Sequence, residues 1–259
     1  PVRIEILDAN GETVRTYSSE ESEFDRCLAH NSDARSPYTP KYPTTKAGLN
    51  KWNWDLRREG FTCIEGMTLF AGLDGTRVPP GDYRARITSG NATSETSFTV
   101  RMDPRITSTP EEIREWTSRM DETSALLEAA LDSLAGLRQA RGQIMALVEQ
   151  YPGDAELTET AHSALEAIDA WDHQVIQPLH ETLEDEDAWE TRYAGQVRFL
   201  LDVIDSSGAP VTNGAFLRLD DLKSQWAVLA RRLSEIRTDY VEPINAWASR
   251  NSVPHISSE

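Results

Sequence analysis

The spacing of apolar residues changes once along this chain. Up to Val100 they recur mainly at every second position, the period of a half-buried strand. From Ile113 onward they recur at every third or fourth position, the period of a helix with one buried stripe. Near the start, Val2, Ile4 and Ile6 alternate with Arg3 and Glu5, and Val14 and Thr16 alternate with Arg15 and Tyr17. Asp8-Ala-Asn-Gly11 separates these runs, and Asn-Gly is a strong hairpin signal. Ser18 to Thr45 is polar, contains Pro37, Pro40 and Pro43, and reads as a long loop. Alternation resumes over Ala47 to Leu56, where Trp52, Trp54 and Leu56 would share one face of a strand. Val78-Pro-Pro-Gly-Asp-Tyr83 reads as a tight turn into a strand carrying Tyr83, Ala85 and Ile87, and Ser97 to Val100 closes the sheet. Six or seven short strands joined by turns predict an antiparallel β-sandwich over residues 1–103.

Asp103-Pro104 ends the last strand, because proline lacks the N–H a ladder needs. Thr109-Pro110-Glu111-Glu112 then has the marks of a helix start: an N-cap hydroxyl, proline at the first helical position, and acids at the positive end of the helix dipole. Ile113, Trp116, Met120, Leu127, Leu131, Leu134, Leu137, Ile144 and Val148 follow at heptad-like spacing. They predict a helix of about 40 residues, ~60 Å long, stopped at Tyr151-Pro-Gly-Asp154. A second helix carries Leu157 through Leu183, with Pro178 expected to kink it. A third holds Trp189, Tyr193, Val197, Leu200 and Ile204, and Ser206 to Pro210 is a linker. A fourth runs from Phe216 to Trp247 and should kink near Pro243. Each has one apolar stripe to bury. About four helices over residues 104–259 therefore predict an up-down bundle, the whole chain being a multidomain all-β plus all-α protein.

Charge narrows the partners. The chain has 43 acidic and 26 basic residues, a net charge of −17, which argues against a nucleic-acid backbone or an anionic membrane surface. No apolar run is long enough to span a bilayer. The chain opens on strand-like residues without a methionine or a signal segment, and reads as a fragment or a processed piece. Its two cysteines, Cys27 and Cys63, fit neither a disulfide framework nor a metal site, but could pair with each other if the protein is exported.

Candidate chemistry is sparse. Two indoles on one strand face, Trp52 and Trp54, read first as core; a platform for stacking sugar faces is the sharper alternative. His162, His173 and His180, near Asp169 and Glu181, lack the Glu-x-x-His spacing of a bundle metal site and read as solvent-facing. The acid run Glu184 to Asp187 lacks the alternating ligands and turn glycine of a calcium loop. The chain shows no nucleophile elbow, phosphate loop or zinc-protease motif. No catalytic residue, metal ligand or cofactor site is assigned.

Three blocks in order, Ile6 to Arg15, Gly48 to Leu56 and Val78 to Arg84, resemble the immunoglobulin-like domains related to the flagellar hook-capping type. Such a domain running through Val100-Arg-Met-Asp-Pro-Arg into a long helix resembles the C-terminal region of large exported bacterial proteins. Their N-terminal part is a sortilin-like or sialidase-like (BNR-repeat) β-propeller, often described as a glycosyl hydrolase. The resemblance implies a non-catalytic accessory, structural or interaction module outside the cytoplasm, with the parent's own β-propeller, another protein or a polysaccharide as partner. A carbohydrate-binding module using Trp52 or Trp54 is the alternative.

Overall fold

The computed structural model describes residues 1–31 and 39–258. Pro37, part of the long loop read from the sequence, lies outside them. The hairpin at the start forms, with β1 (Val2–Leu7) antiparallel to β2 (Thr13–Ser18), but its register sets Tyr17 opposite Ile4 and Arg15 opposite Ile6, so β2 does not follow the alternation read from the sequence. In its turn the Asp8 carboxylate accepts from the backbone N–H groups of Asn10 and Glu12, both at 2.9 Å, the local bonding that makes Asp a turn former. A short helix follows, α1 (Glu23–Asn31), inside the stretch read as loop. β3 (Gly81–Ser89) pairs with β1, and β4 (Ala92–Val100) with β3, giving one antiparallel sheet of order β2-β1-β3-β4.

The expected sandwich is therefore wrong: among the described residues no second sheet faces the first. Residues 45–80 supply the cover in irregular form. Leu56 takes a positive φ of 62°, which breaks the extended run begun at Ala47. The Trp54 indole N–H turns back to the Arg57 carbonyl at 2.8 Å. The inner face of the sheet, Ile4, Ile6 and Tyr83, is thus covered by Val78, Trp52 and Trp54 rather than by more strands. Further along, residues 56–61 and 73–78 run side by side, with Arg58 N–H donating to Thr76 O, Phe61 N–H to Leu73 O and Val78 N–H to Leu56 O. Gly75 permits that approach, since a Cβ there would lie 2.2 Å from the Glu59 carbonyl oxygen.

The helical part begins where the capping signal placed it. Thr109 caps α2 (Pro110–Gln150): its hydroxyl accepts from Glu112 N–H at 3.2 Å, while the Glu112 carboxylate accepts from Thr109 N–H at 2.7 Å. Next come α3 (Ala155–Val175), α4 (Tyr193–Ser207), α5 (Asn213–Glu235) and α6 (Glu242–Arg250). α2 packs chiefly against α3 and α4, burying Met120, Leu127, Leu131, Leu134, Leu137 and Ile144 completely. The fold is mixed α/β, not an all-β unit joined to a four-helix bundle. Its larger core takes in Phe61, Ile64, Met67, Leu69 and Leu73 from the irregular segment, with Phe24 and Leu28 of α1 packed against it.

One proline acts differently from expectation. Pro178 lies beyond α3, which stops at Val175, so it ends the helix instead of kinking it. A 3-10 turn (Leu183–Asp187) follows, and Trp189 sits outside α4 with its side chain half in solvent. Pro243 is accommodated by a π turn (Ile236–Val241) that joins α5 to α6. There Glu242 N–H reaches back five residues to the Arg237 carbonyl, a widening that accepts a ring with no N–H to donate.

Irregular segment and helices are tied by charge as well as packing. Asp205 on α4, its side chain 5% exposed, accepts from Arg57 at 2.8 Å and from the Arg77 side chain at 3.2 Å. The buried Arg198 donates to the carbonyls of Gly72 (2.7 Å) and Ala71 (2.6 Å). Arg138 on α2 grips Asp172 on α3 with two donors, at 2.6 and 3.1 Å, and also reaches the Glu65 carbonyl. Cys27 and Cys63 form a disulfide, joining α1 to the same segment.

Candidate functional site

A groove of about 1150 Å³ lies between β2, α1 and the residues around Trp52. Tyr17 of β2 lines it, and its hydroxyl donates to Asp55 at 3.4 Å. Arg15 lies over the Tyr17 ring at 5.2 Å. Burial, and secondarily the Asp55 charge, push the Tyr17 phenol up to about 12. The Trp52 ring stands edge-on to Tyr17, centroids 5.0 Å apart. Trp52 is half-buried, and its indole N–H has no hydrogen-bond partner. Tyr42 adds a third ring to the lining, its phenol pushed up by desolvation and by the charges of Asp25 and Glu21.

The far wall is α1. Its Phe24 ring lies close on Gly60, where a Cβ would come within 2.8 Å of it. Asn31 at the helix end donates to Ile64 O at 2.7 Å and accepts from Gly66 N–H at 2.8 Å. The disulfide holds the middle of the same helix. None of the α1 residues is fully buried, so a helix too short to be stable alone depends on these attachments.

Three of the carboxylates lining the groove are used in building it. Asp25 accepts from the Ser22 hydroxyl and N–H, at 2.7 and 3.0 Å. Asp55 accepts from Arg57 N–H at 3.0 Å, and Glu59 from Thr16 N–H at 3.0 Å while lying 3.3 Å from Arg15. The rest of the lining is flat aromatic surface edged by hydroxyls, amides, the lysines Lys41 and Lys51 and the carboxylates of Glu20 and Asp74. Such a surface can stack and hydrogen-bond a polar ligand.

The two indoles singled out from the sequence are separated. Trp52 lines the groove, whereas Trp54 packs edge-on against Tyr83 and Phe98 at 5.5 and 5.9 Å with its N–H already used. They form no shared platform, because the strand that would have aligned them is absent. Sequence reasoning missed Phe24, Asn31 and Tyr42, and it set Tyr17 on the polar side of its strand, whereas Tyr17 pairs with Ile4 and packs against the sheet core. The histidines do not converge. His162 pairs with Glu166 at 3.3 Å and His173 is exposed, but His180 is buried, its Nε2 3.4 Å from the Trp189 carbonyl, contrary to its solvent-facing assignment. Among the described residues no group of three or more His, Cys, Asp or Glu side chains could hold a metal ion, and no helix is long and apolar enough to cross a membrane. No family model, curated protein or solved structure matches this chain.

Proposed function

We propose that this chain is a non-catalytic binding module of a larger exported bacterial protein, with the Trp52 groove as its ligand seat. The observation that carries this reading is the groove's composition: three aromatic rings line a large opening, and the lining carboxylates of Asp25, Asp55 and Glu59 are engaged in wall contacts. The disulfide supports a place outside the cytoplasm, where such bonds persist. A β-propeller of the same parent protein is the first protein partner to test. A polysaccharide ligand is the second reading, favoured by Trp52. Its half-buried ring lines the groove edge-on to Tyr17, a flat aromatic surface on which a sugar face can stack. Calorimetric titration with a polysaccharide panel tests this reading. Saturable heat that disappears in Trp52→Ala but survives in Lys223→Ala, far away on α5, is the expected result. Turnover of a glycoside or peptide by the purified chain would overturn the non-catalytic assignment.

A further inference from the structure

A second concavity, of about 570 Å³, lies between α4 and the start of α5, apart from the Trp52 groove. This volume is in the range of small-molecule sites. Its body is apolar: Leu200 and Ala215 form the buried floor, while Phe199 and Val203, one helical turn apart, leave 56% and 39% of their surface in solvent. Single exposed apolar residues are ordinary, but two lining one concavity are not explained by that.

One end is cationic. Arg218 is the only charged residue lining the groove among those described, in a chain whose net charge is −17. Its guanidinium is held in place by a relay. Gln196 donates through Nε2 to the Thr191 carbonyl at 2.6 Å, and its Oε1 accepts from Arg218 Nη2, also at 2.6 Å. Asp221, one turn along α5, is 3.9 Å from Arg218 Nη1, a loose and exposed contact of small weight. An arginine has five N–H donors, so the fork retains donors for an anion after these contacts. Fixing the fork beforehand lowers the entropy lost on binding.

We propose that this groove binds a small amphipathic carboxylate, a medium-length unbranched fatty acid, with the acyl chain along Phe199, Leu200 and Val203 and the carboxylate on Arg218. The charge complementarity selects this occupant: an anionic head finds a positioned cation and no lining carboxylate. The proposal is independent of the Trp52 groove.

The test is calorimetry of the intact chain with hexanoate, octanoate and decanoate below their micelle concentrations, and with decanol. Affinity should rise roughly threefold to fourfold per added methylene until the groove is filled, following the transfer cost of a buried CH₂. Arg218→Gln should weaken decanoate by about tenfold or more, the effect of losing a charged hydrogen bond, and leave decanol unchanged. Gln196→Ala, which frees the fork without removing its charge, should give a smaller loss. Amide shifts on decanoate addition should centre on Phe199 and Ala215. Equal affinity for decanoate and decanol, an unchanged Arg218→Gln, shifts centred elsewhere, or no heat at millimolar ligand would each overturn the proposal. So would a concentration-dependent dimer abolished by Phe199→Asp, which would assign the groove to a second copy of the chain.

Discussion

The helices α2 to α6 and the irregular segment from Trp52 to Val78 both bury apolar side chains, but they are held by different means. Along α2 one stripe repeats from Trp116 to Leu147, and each backbone group inside the helix finds its partner four residues away. The irregular segment has no such internal ladder beyond the short pairing of 56–61 with 73–78. Its backbone is satisfied one group at a time by distant side chains: Arg198 on the carbonyls of Ala71 and Gly72, Arg138 on Glu65, Asn31 on Ile64 and Gly66. Periodic burial makes stability a property of a whole element. Individual tethers make it a sum of separable contacts.

If this contrast holds, the two regions should respond differently to substitution. The largest effect is expected in the periodic core. Leu134, fully buried on α2, should cost about 3–5 kcal/mol when changed to Ala, seen in denaturant unfolding as one cooperative shift of the whole chain. Next is Asp205→Asn, which leaves Arg57 and Arg77 without their carboxylate. Both arginines keep partial access to solvent, so the loss should be about 2–3 kcal/mol, less than for a fully buried pair. It should appear first as faster hydrogen exchange around Arg57 and Arg77.

Alkaline pH probes the groove wall. The Tyr17 phenol is raised from 10.0 to about 12, so the folded state holds its proton more tightly than the unfolded state. Its contribution is fully present below pH 10 and is lost as pH rises toward about 12. Tyr193, also raised by burial, adds to the same trend. Thermal melts across that window should show falling stability, with part of the fall removed in Tyr17→Phe. The smallest effect is expected at the joint. Thr109→Ala removes one arm of the capping box and should cost about 1 kcal/mol, measurable by chemical denaturation.

What could be read in the sequence follows the same division. The start of α2 was legible because Thr109, Pro110 and Glu112 act on their own neighbours. The β1–β2 hairpin was legible because Asp8 and Gly11 shape their own turn. The apolar and polar alternation of Trp52, Trp54 and Leu56 looked like a strand, yet the positive φ at Leu56 and the local bond from Trp54 to Arg57 bend it away. Those choices are set by contacts with a sheet face and with Asp205, more than a hundred residues away, which no local period encodes. The second sheet was inferred from six or seven short strands joined by turns; the inner face at Ile4 and Ile6 does need a cover, but two indoles and Val78 supply it. Of the groove, only Trp52 carried a usable signal. Phe24, Asn31 and Tyr42 sit in a polar stretch without periodicity, where α1 is shaped by its attachments rather than by its own pattern.

The disulfide gives the most direct test of the contrast, because it can be opened without changing a residue. Hydrogen exchange would be followed with Cys27–Cys63 intact and after mild reduction under native conditions. The expected result is graded. Protection falls most in Glu23–Asn31 and around Cys63, and less near Ala71 to Arg77, where Arg198 and Asp205 still hold the backbone. It stays unchanged along α2. Equal loss of protection in α2 and in these segments, or no change in α1, would contradict the account.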